Sequence, residues 1–259
     1  MIVDANKSLI VAHNVTKYYG PFKALDSVTF TAEPGELVAV AGPSGSGKTS
    51  LLHSLAGIIH PDYGEVLVDG NDLAELQSRK KRCSLVGIIH QQYDLVPQLP
   101  VIHNVLAGHL GRWGLFTSLL SLVWPRDRRQ AYDILLQLGI ADKIDDKTSN
   151  LSGGEQQRVA IARMMIQSPQ LVLADEPVAS LDPSRAEEGL RLITDLTTDS
   201  NKTLVITLHS PHLIREYCSR VIGLREGKLI FDLPTSEVYD HHFDQLYDIG
   251  CLLYTSDAA

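Results

Sequence analysis

The octapeptide Gly42-Pro43-Ser44-Gly45-Ser46-Gly47-Lys48-Thr49 has the residue types and spacing to hold a polyphosphate. Its glycines let successive backbone N–H groups turn toward phosphate oxygens with no Cβ in the way. Lys48 adds a positive charge to the same oxygens, and Thr49 offers a hydroxyl to Mg²⁺. Ser50 follows directly and is counted with the loop. Well downstream, the apolar run Leu171-Val172-Leu173-Ala174 ends in Asp175-Glu176-Pro177. A buried strand ending this way can bring Asp175 to the Mg²⁺ and leave Glu176, one residue on, to polarise an attacking water as general base. A glycine turn that binds nothing, or two carboxylates at a helix start, would explain either segment alone. Their combination points to hydrolysis of a nucleoside triphosphate.

These residues need elements to carry them. The run at 37–41 is short and continuously apolar, as in a parallel strand buried on both faces, and it feeds the glycine loop. Residues 48–58 then have helical character. Before them, residues 9–36 alternate polar and apolar side chains around Tyr19-Gly20-Pro21 and Glu33-Pro34-Gly35, which predicts antiparallel strands. Further strands are expected at 64–68, 85–89, 171–174 and 204–208, and a hairpin at 221–231 around Glu226-Gly227. Helical spacing at 128–138, 155–166 and 183–197 predicts helices, and residues 96–168 read as a helical subdomain. Within it, residues 108–126 carry Trp113, Phe116, Leu119, Leu120, Leu122 and Trp124. That stretch is either a membrane-touching or partner-binding helix or ordinary packing within the subdomain. The expected class is α/β.

Composition narrows the function further. The 259 residues suffice for one large α/β domain with a subdomain. A formal net charge of −8 argues against broad nucleic-acid binding, but not against a local anion site built from backbone N–H groups and one lysine. Cys83, Cys218 and Cys251 have neither metal nor disulfide spacing, which fits reduced cytosolic thiols. His241-His242 reads as a solvated pair. No secretory signal opens the chain, and no run approaches the ~18–20 apolar residues of a membrane span. Residues 251–259, Cys-Leu-Leu-Tyr-Thr-Ser-Asp-Ala-Ala, look like a translated sequencing adapter and not part of the fold. On that view the native carboxyl end is altered after about residue 250.

With Leu151-Ser152-Gly153-Gly154-Glu155-Gln156-Gln157-Arg158 added to the two phosphate motifs, the chain resembles the nucleotide-binding subunit of an ATP-binding-cassette (ABC) transporter. The likeness covers about residues 9–232, and the domain is taken as 9–250. It implies a P-loop NTPase (RecA-like) core with an N-terminal antiparallel β subdomain and a helical ABC subdomain. It also implies that Ser152, Gly153, Gly154 and Glu155 of one copy close over the γ-phosphate held by the loop of a second copy. A helix N-terminus at Ser152 suits that role physically. Gln91 resembles the glutamine that contacts Mg²⁺ or water and senses the transmembrane partner. Ser180-Leu181-Asp182 matches the segment that communicates across the pair, His209 the switch histidine on the γ-phosphate, and Tyr19, beside Tyr18, the aromatic that stacks on adenine. His90 departs from the family pattern, standing where many relatives carry an apolar aromatic. Hydrolysis is expected to tolerate it.

Within the family, three strings look most like phosphonate importer ATPases: His90-Gln91-Gln92-Tyr93-Asp94-Leu95-Val96, Asn104-Val105-Leu106-Ala107-Gly108, and the run from Ala174 to Pro183. The insert at 110–126 and Gly223-Leu224-Arg225-Glu226-Gly227-Lys228 continue the likeness. It implies ATP and Mg²⁺ as ligands and a second copy of the chain as partner. It further implies transmembrane permease subunits, a periplasmic or lipid-anchored binding protein acting indirectly, and a peripheral position on the cytoplasmic face of the inner membrane. The transported solute would be phosphonate or a related oxyanion such as phosphite or phosphate. An importer for another solute, or an ABC ATPase of lipoprotein export or cell division, is the nearest rival.

Overall fold

The computed structural model describes residues 8–123, 125–179 and 182–247, in two compact units that divide at residues 75/76 and 202/203. The first unit opens with β1 (Ile10–Tyr19), β2 (Phe22–Ala32), β3 (Leu37–Ala41), α1 (Lys48–Leu55) and β4 (Tyr63–Val68). The second holds α2 (Arg79–Leu85), β5 (Val86–Ile89), α3 (Val101–Leu106), α4 (Leu115–Val123), α5 (Arg128–Gln137), α6 (Gly153–Gln167), β6 (Leu171–Ala174) and α7 (Pro183–Asp199). The chain returns to the first unit with β7 (Thr203–Thr207), α8 (Pro211–Tyr217), β8 (Arg220–Arg225), β9 (Lys228–Pro234) and α9 (Asp240–Tyr247).

Two sheets build the first unit. In one, β1 lies between β2 and β4, antiparallel to both, with Ile10 opposite Ala32 on one side and Val68 on the other. In the other, β3 is central: β7 and β8 flank it in parallel, and β9 adds antiparallel to β8. The sequence explains the difference. β1 and β2 mix buried and exposed positions, whereas residues 38–41 and all of β7 are buried on both faces, as a central parallel sheet requires. Each valine or isoleucine buried there contributes about 1.5–3 kcal/mol. Arg220 ties the sheet's lower end together, donating to both Asp232 carboxylate oxygens (2.6 and 2.7 Å) and to Glu36 (3.1 Å). The carboxylates beside it raise the guanidinium pKa further, so the group stays charged.

In the second unit β5 and β6 pair in parallel, Ile89 opposite Ala174. Helix α6 is its axis, burying Val159, Ile161, Ala162 and Ile166 against neighbours that include α3, α5 and β5. Asn104 on α3 is buried. It accepts from the Val96 N–H and donates to the Val96 carbonyl and to Thr148 Oγ1, which pins the segment after β5.

The elements differ from the sequence expectation at several edges. α1 stops at Leu55 instead of 58 because Gly57, at φ +66°, turns the chain against Leu73, where a Cβ would sit 2.6 Å from the leucine's own. Leu85 closes α2 and does not open a strand; β5 starts at Val86. Helices α2, α8 and α9 are absent from the expectation. In the stretch 108–126 the one α-helix among the described residues is Leu115–Val123, and it exposes Phe116, Leu119 and Leu120. Trp113 instead packs against His109, with ring centroids 5.0 Å apart and planes tilted by 39°, and Trp124 and the tail at 251–259 lie outside the described residues.

Candidate functional site

The glycine loop leaves the C-terminal end of β3 and turns into α1. Two of its glycines are obligatory. A Cβ on Gly42 would lie 2.1 Å from the Leu224 carbonyl oxygen, and one on Gly47, at φ +104°, 2.4 Å from the Ala24 carbonyl oxygen. The loop is therefore wedged between β8 and β2 by its own backbone. Ser46 N–H donates to the Pro43 carbonyl and the Ser46 carbonyl accepts from Gly227 N–H, which fixes the curl. Lys48 is 5% exposed and its ammonium donates to the carbonyls of Gly42 (2.9 Å) and Pro43 (3.0 Å), spanning the mouth of the loop.

His209 stands just past β7, the parallel neighbour of β3, with Val40 opposite Thr207. The adjacency of the two strands brings the loop and His209 to the same sheet end, where parallel sheets bind ligands. Tyr19 is about half exposed at the tip of the β1–β2 hairpin, its ring 6.0 Å from the Lys17 ammonium, while Tyr18 points toward Lys23.

In the second unit the same logic positions the carboxylates. Asp175 continues β6, its N–H donating to the Ile89 carbonyl at 2.9 Å, and its side chain is buried. Glu176 follows at φ +46° and Pro177 turns the chain away. Gln91, exposed, leaves the neighbouring strand β5, so Gln91, Asp175 and Glu176 emerge at adjacent strand ends. His90 lies 3.5 Å from Asp94.

Ser152 caps α6. Its hydroxyl accepts from Glu155 N–H, and the Glu155 carboxylate accepts from Ser152 N–H at 2.7 Å and from the Ser152 hydroxyl at 2.8 Å. Those bonds hold the Glu155 carboxyl below its usual range, so it is charged near neutrality. Gly153 and Gly154 form the first turn, and a Cβ on Gly154 would meet only open space. Asp182 caps α7, accepting from Ser184 Oγ and Arg185 N–H, which lowers its pKa. Ser180 and Leu181 lie outside the described residues.

The donor set suits Mg²⁺ and phosphate. Ser46 Oγ, 2% exposed inside the loop, has no hydrogen-bond partner, an orphan that a phosphate oxygen would satisfy. Thr49, Gln91 and Asp175 offer hydroxyl, amide and carboxylate oxygens, the hard donors Mg²⁺ takes. Among the described residues no group of three or more His, Cys, Asp or Glu could hold a metal by itself. Cys218 offers no reactive thiolate, since burial pushes its pKa up to about 12.

Tyr247 escapes the sequence reading. It ends α9, accepts from the Gly42 N–H and donates to the His209 carbonyl at 3.5 Å, while burial raises its phenol pKa. The apolar anchors Phe243 and Leu246 are its sequence signal, visible only once α9 is known to be a helix.

The ABC transporter family pattern matches residues 25–179. Over 247 residues, 95% of this chain and 92% of the relative, the chain is 40% identical to the phosphonates import ATP-binding protein PhnC of Pseudomonas putida. It is 39% identical to PhnC 3 of Halalkalibacterium halodurans, covering 95% and 94% of the two chains. Among solved structures, the ADP conformation of MJ1267, an ATP-binding cassette of an ABC transporter, is similar with a TM-score of 0.81 at 25% identity, over 94% of this chain and 98% of that one. The dimeric cassette MJ0796 is similar at TM-score 0.75 and 31% identity, over 87% and 98%. With its phosphate loop, its paired carboxylates and its capped Ser152-Gly153-Gly154 turn, the chain belongs to the ABC transporter family as an ATP-binding cassette.

Proposed function

We propose that the chain is the ATP-hydrolysing subunit of an importer for phosphonates or a related phosphorus oxyanion. The identity to phosphonates import ATP-binding proteins, which runs through 95% of the chain, carries this reading. Two copies pair head to tail. In each site Lys48 and the loop N–H groups of one copy bind the β- and γ-phosphates, and Tyr19 stacks on the adenine. Thr49, Asp175 and Gln91 hold Mg²⁺, which supplies charge neutralisation on the phosphate oxygens when bound. The α6 N-terminus of the other copy, Ser152 to Glu155, closes the site with the Gly153 and Gly154 N–H groups, which its own capping box does not use. Glu176 takes the proton of the attacking water, and His209 donates to the γ-phosphate. Asp182 serves the contact between copies. Transmembrane permease subunits sit on the second unit near Gln91, fed by a periplasmic or lipid-anchored binding protein. The chain works at the cytoplasmic membrane face; among its described residues no helix is long and apolar enough to cross a membrane.

The test is ATP hydrolysis by the subunit with its permease in liposomes, with binding protein added empty, loaded with 2-aminoethylphosphonate, or loaded with phosphate. Stimulation chiefly by the phosphonate-loaded protein is expected. Stimulation by phosphate alone would move the solute, and no stimulation despite basal hydrolysis would reject import.

A further inference from the structure

The carbonyl of Pro177, next to Glu176, is buried and receives two side-chain hydrogen bonds from distant parts of the second unit. Tyr93 Oη donates to it at 3.1 Å and Gln157 Nε2 at 3.2 Å. Both donors are buried, Tyr93 at 5% exposure and Gln157 at 3%. Tyr93 lies two residues past Gln91, and Gln157 lies on the second turn of α6, below the Ser152 cap. Gly189 on α7 makes room for Gln157, since a Cβ there would sit 2.3 Å from its amide.

The backbone on both sides is held in a costly conformation. Glu176, Tyr93 and Asp94 all have positive φ, +46°, +58° and +45°. Non-glycine residues keep such angles only when their surroundings over-determine them. For Tyr93 and Asp94 the restraint is Arg163 of α6, whose guanidinium donates to both their carbonyls at 2.6 and 2.8 Å. For Glu176 one side is fixed by β6 and the other by Pro177. Proline's ring locks its own φ, so a carbonyl held by two donors removes the remaining torsion.

We infer that Tyr93 and Gln157 are positioning residues that act through the Pro177 carbonyl to hold Glu176 in place. The Gln91 segment and helix α6 thereby reach the hydrolytic carboxylate through one shared acceptor. The inference rests on Glu176 being the base.

Four variants of the full chain test it: Tyr93→Phe, Gln157→Met, the double, and Tyr93→Phe within Glu176→Gln. Each single loss should lower kcat about three- to ten-fold, because one donor still serves the carbonyl. The double should lower it by more than the product, because a buried acceptor is then orphaned. In the two singles the KM for ATP, the ATP bound per chain and the Tm should stay near wild type. Within Glu176→Gln, Tyr93→Phe should change neither residual turnover nor ATP binding. Wild-type kcat in both singles, beside an inactive Glu176→Gln, would overturn the positioning role and leave the base intact. A double no worse than the product of the singles would overturn the shared acceptor. Loss of ATP binding or of Tm in step with kcat in the singles would reduce the pair to packing. Full turnover in Glu176→Gln would remove the premise itself.

Discussion

Glu176→Gln is expected to abolish turnover, by about 10²–10³-fold, and to accumulate a pair of chains with ATP bound. The substitution keeps the size and hydrogen-bonding reach of the side chain but removes the oxygen that takes the water's proton. Asp175, buried beside it, continues β6, and as the proposed Mg²⁺ ligand it should leave nucleotide capture intact. The variant therefore separates closing from hydrolysis. Size-exclusion chromatography with ATP should show a dimer, and phosphate release should be near background. Full activity would remove Glu176 from the role of base.

Lys48→Ala should fail earlier in the cycle. Its ammonium is held by the Gly42 and Pro43 carbonyls over the loop, where the proposed function has it bind the β- and γ-phosphates. A charge-assisted contact to phosphate is worth roughly twice a neutral one, so ATP affinity should fall by at least about ten-fold and hydrolysis with it. Equilibrium binding of a fluorescent ATP analogue checks this, and unchanged affinity would count against the phosphate role. The contrast between the two variants is the informative part: one binds without turning over, the other does not bind well.

Much of this was legible in the chain because the site residues sit at strand ends, and strand ends are marked by abrupt changes of composition. The apolar runs before Gly42 and Asp175 placed both motifs on buried parallel strands, as found for β3 and β6. Ser152 followed by Glu155 three residues later is a capping-box pattern, and it caps α6. What stayed hidden depends on contacts between segments far apart in sequence. Nothing near Tyr93 or Gln157 announces that both reach Pro177, because a hydrogen bond to a carbonyl some 20 or 84 positions away leaves no local signature. The short helices α2 and α8 were missed because a single turn or two carries too little periodicity, even with Ser78 and Ser210 as caps. In α4 the apolar pattern was read without deciding what it faces, and Phe116, Leu119 and Leu120 prove exposed.

The central claim is that each ATP site is shared between two copies, and complementation between two dead chains tests it most directly. Gly154→Asp is the useful partner for Lys48→Ala. Its new side chain enters open space in the first turn of α6, where an acidic residue suits the helix dipole, so the chain folds. The same carboxylate repels a phosphate presented by another copy. Each variant alone should be inactive. In a mixed pair, the Lys48→Ala loop faces the Gly154→Asp turn, and the other site has an intact loop and an intact turn. Recovery of ATP hydrolysis on mixing is the predicted result. Two chains that stay inactive together, while mixed pairs demonstrably form, would contradict a shared site.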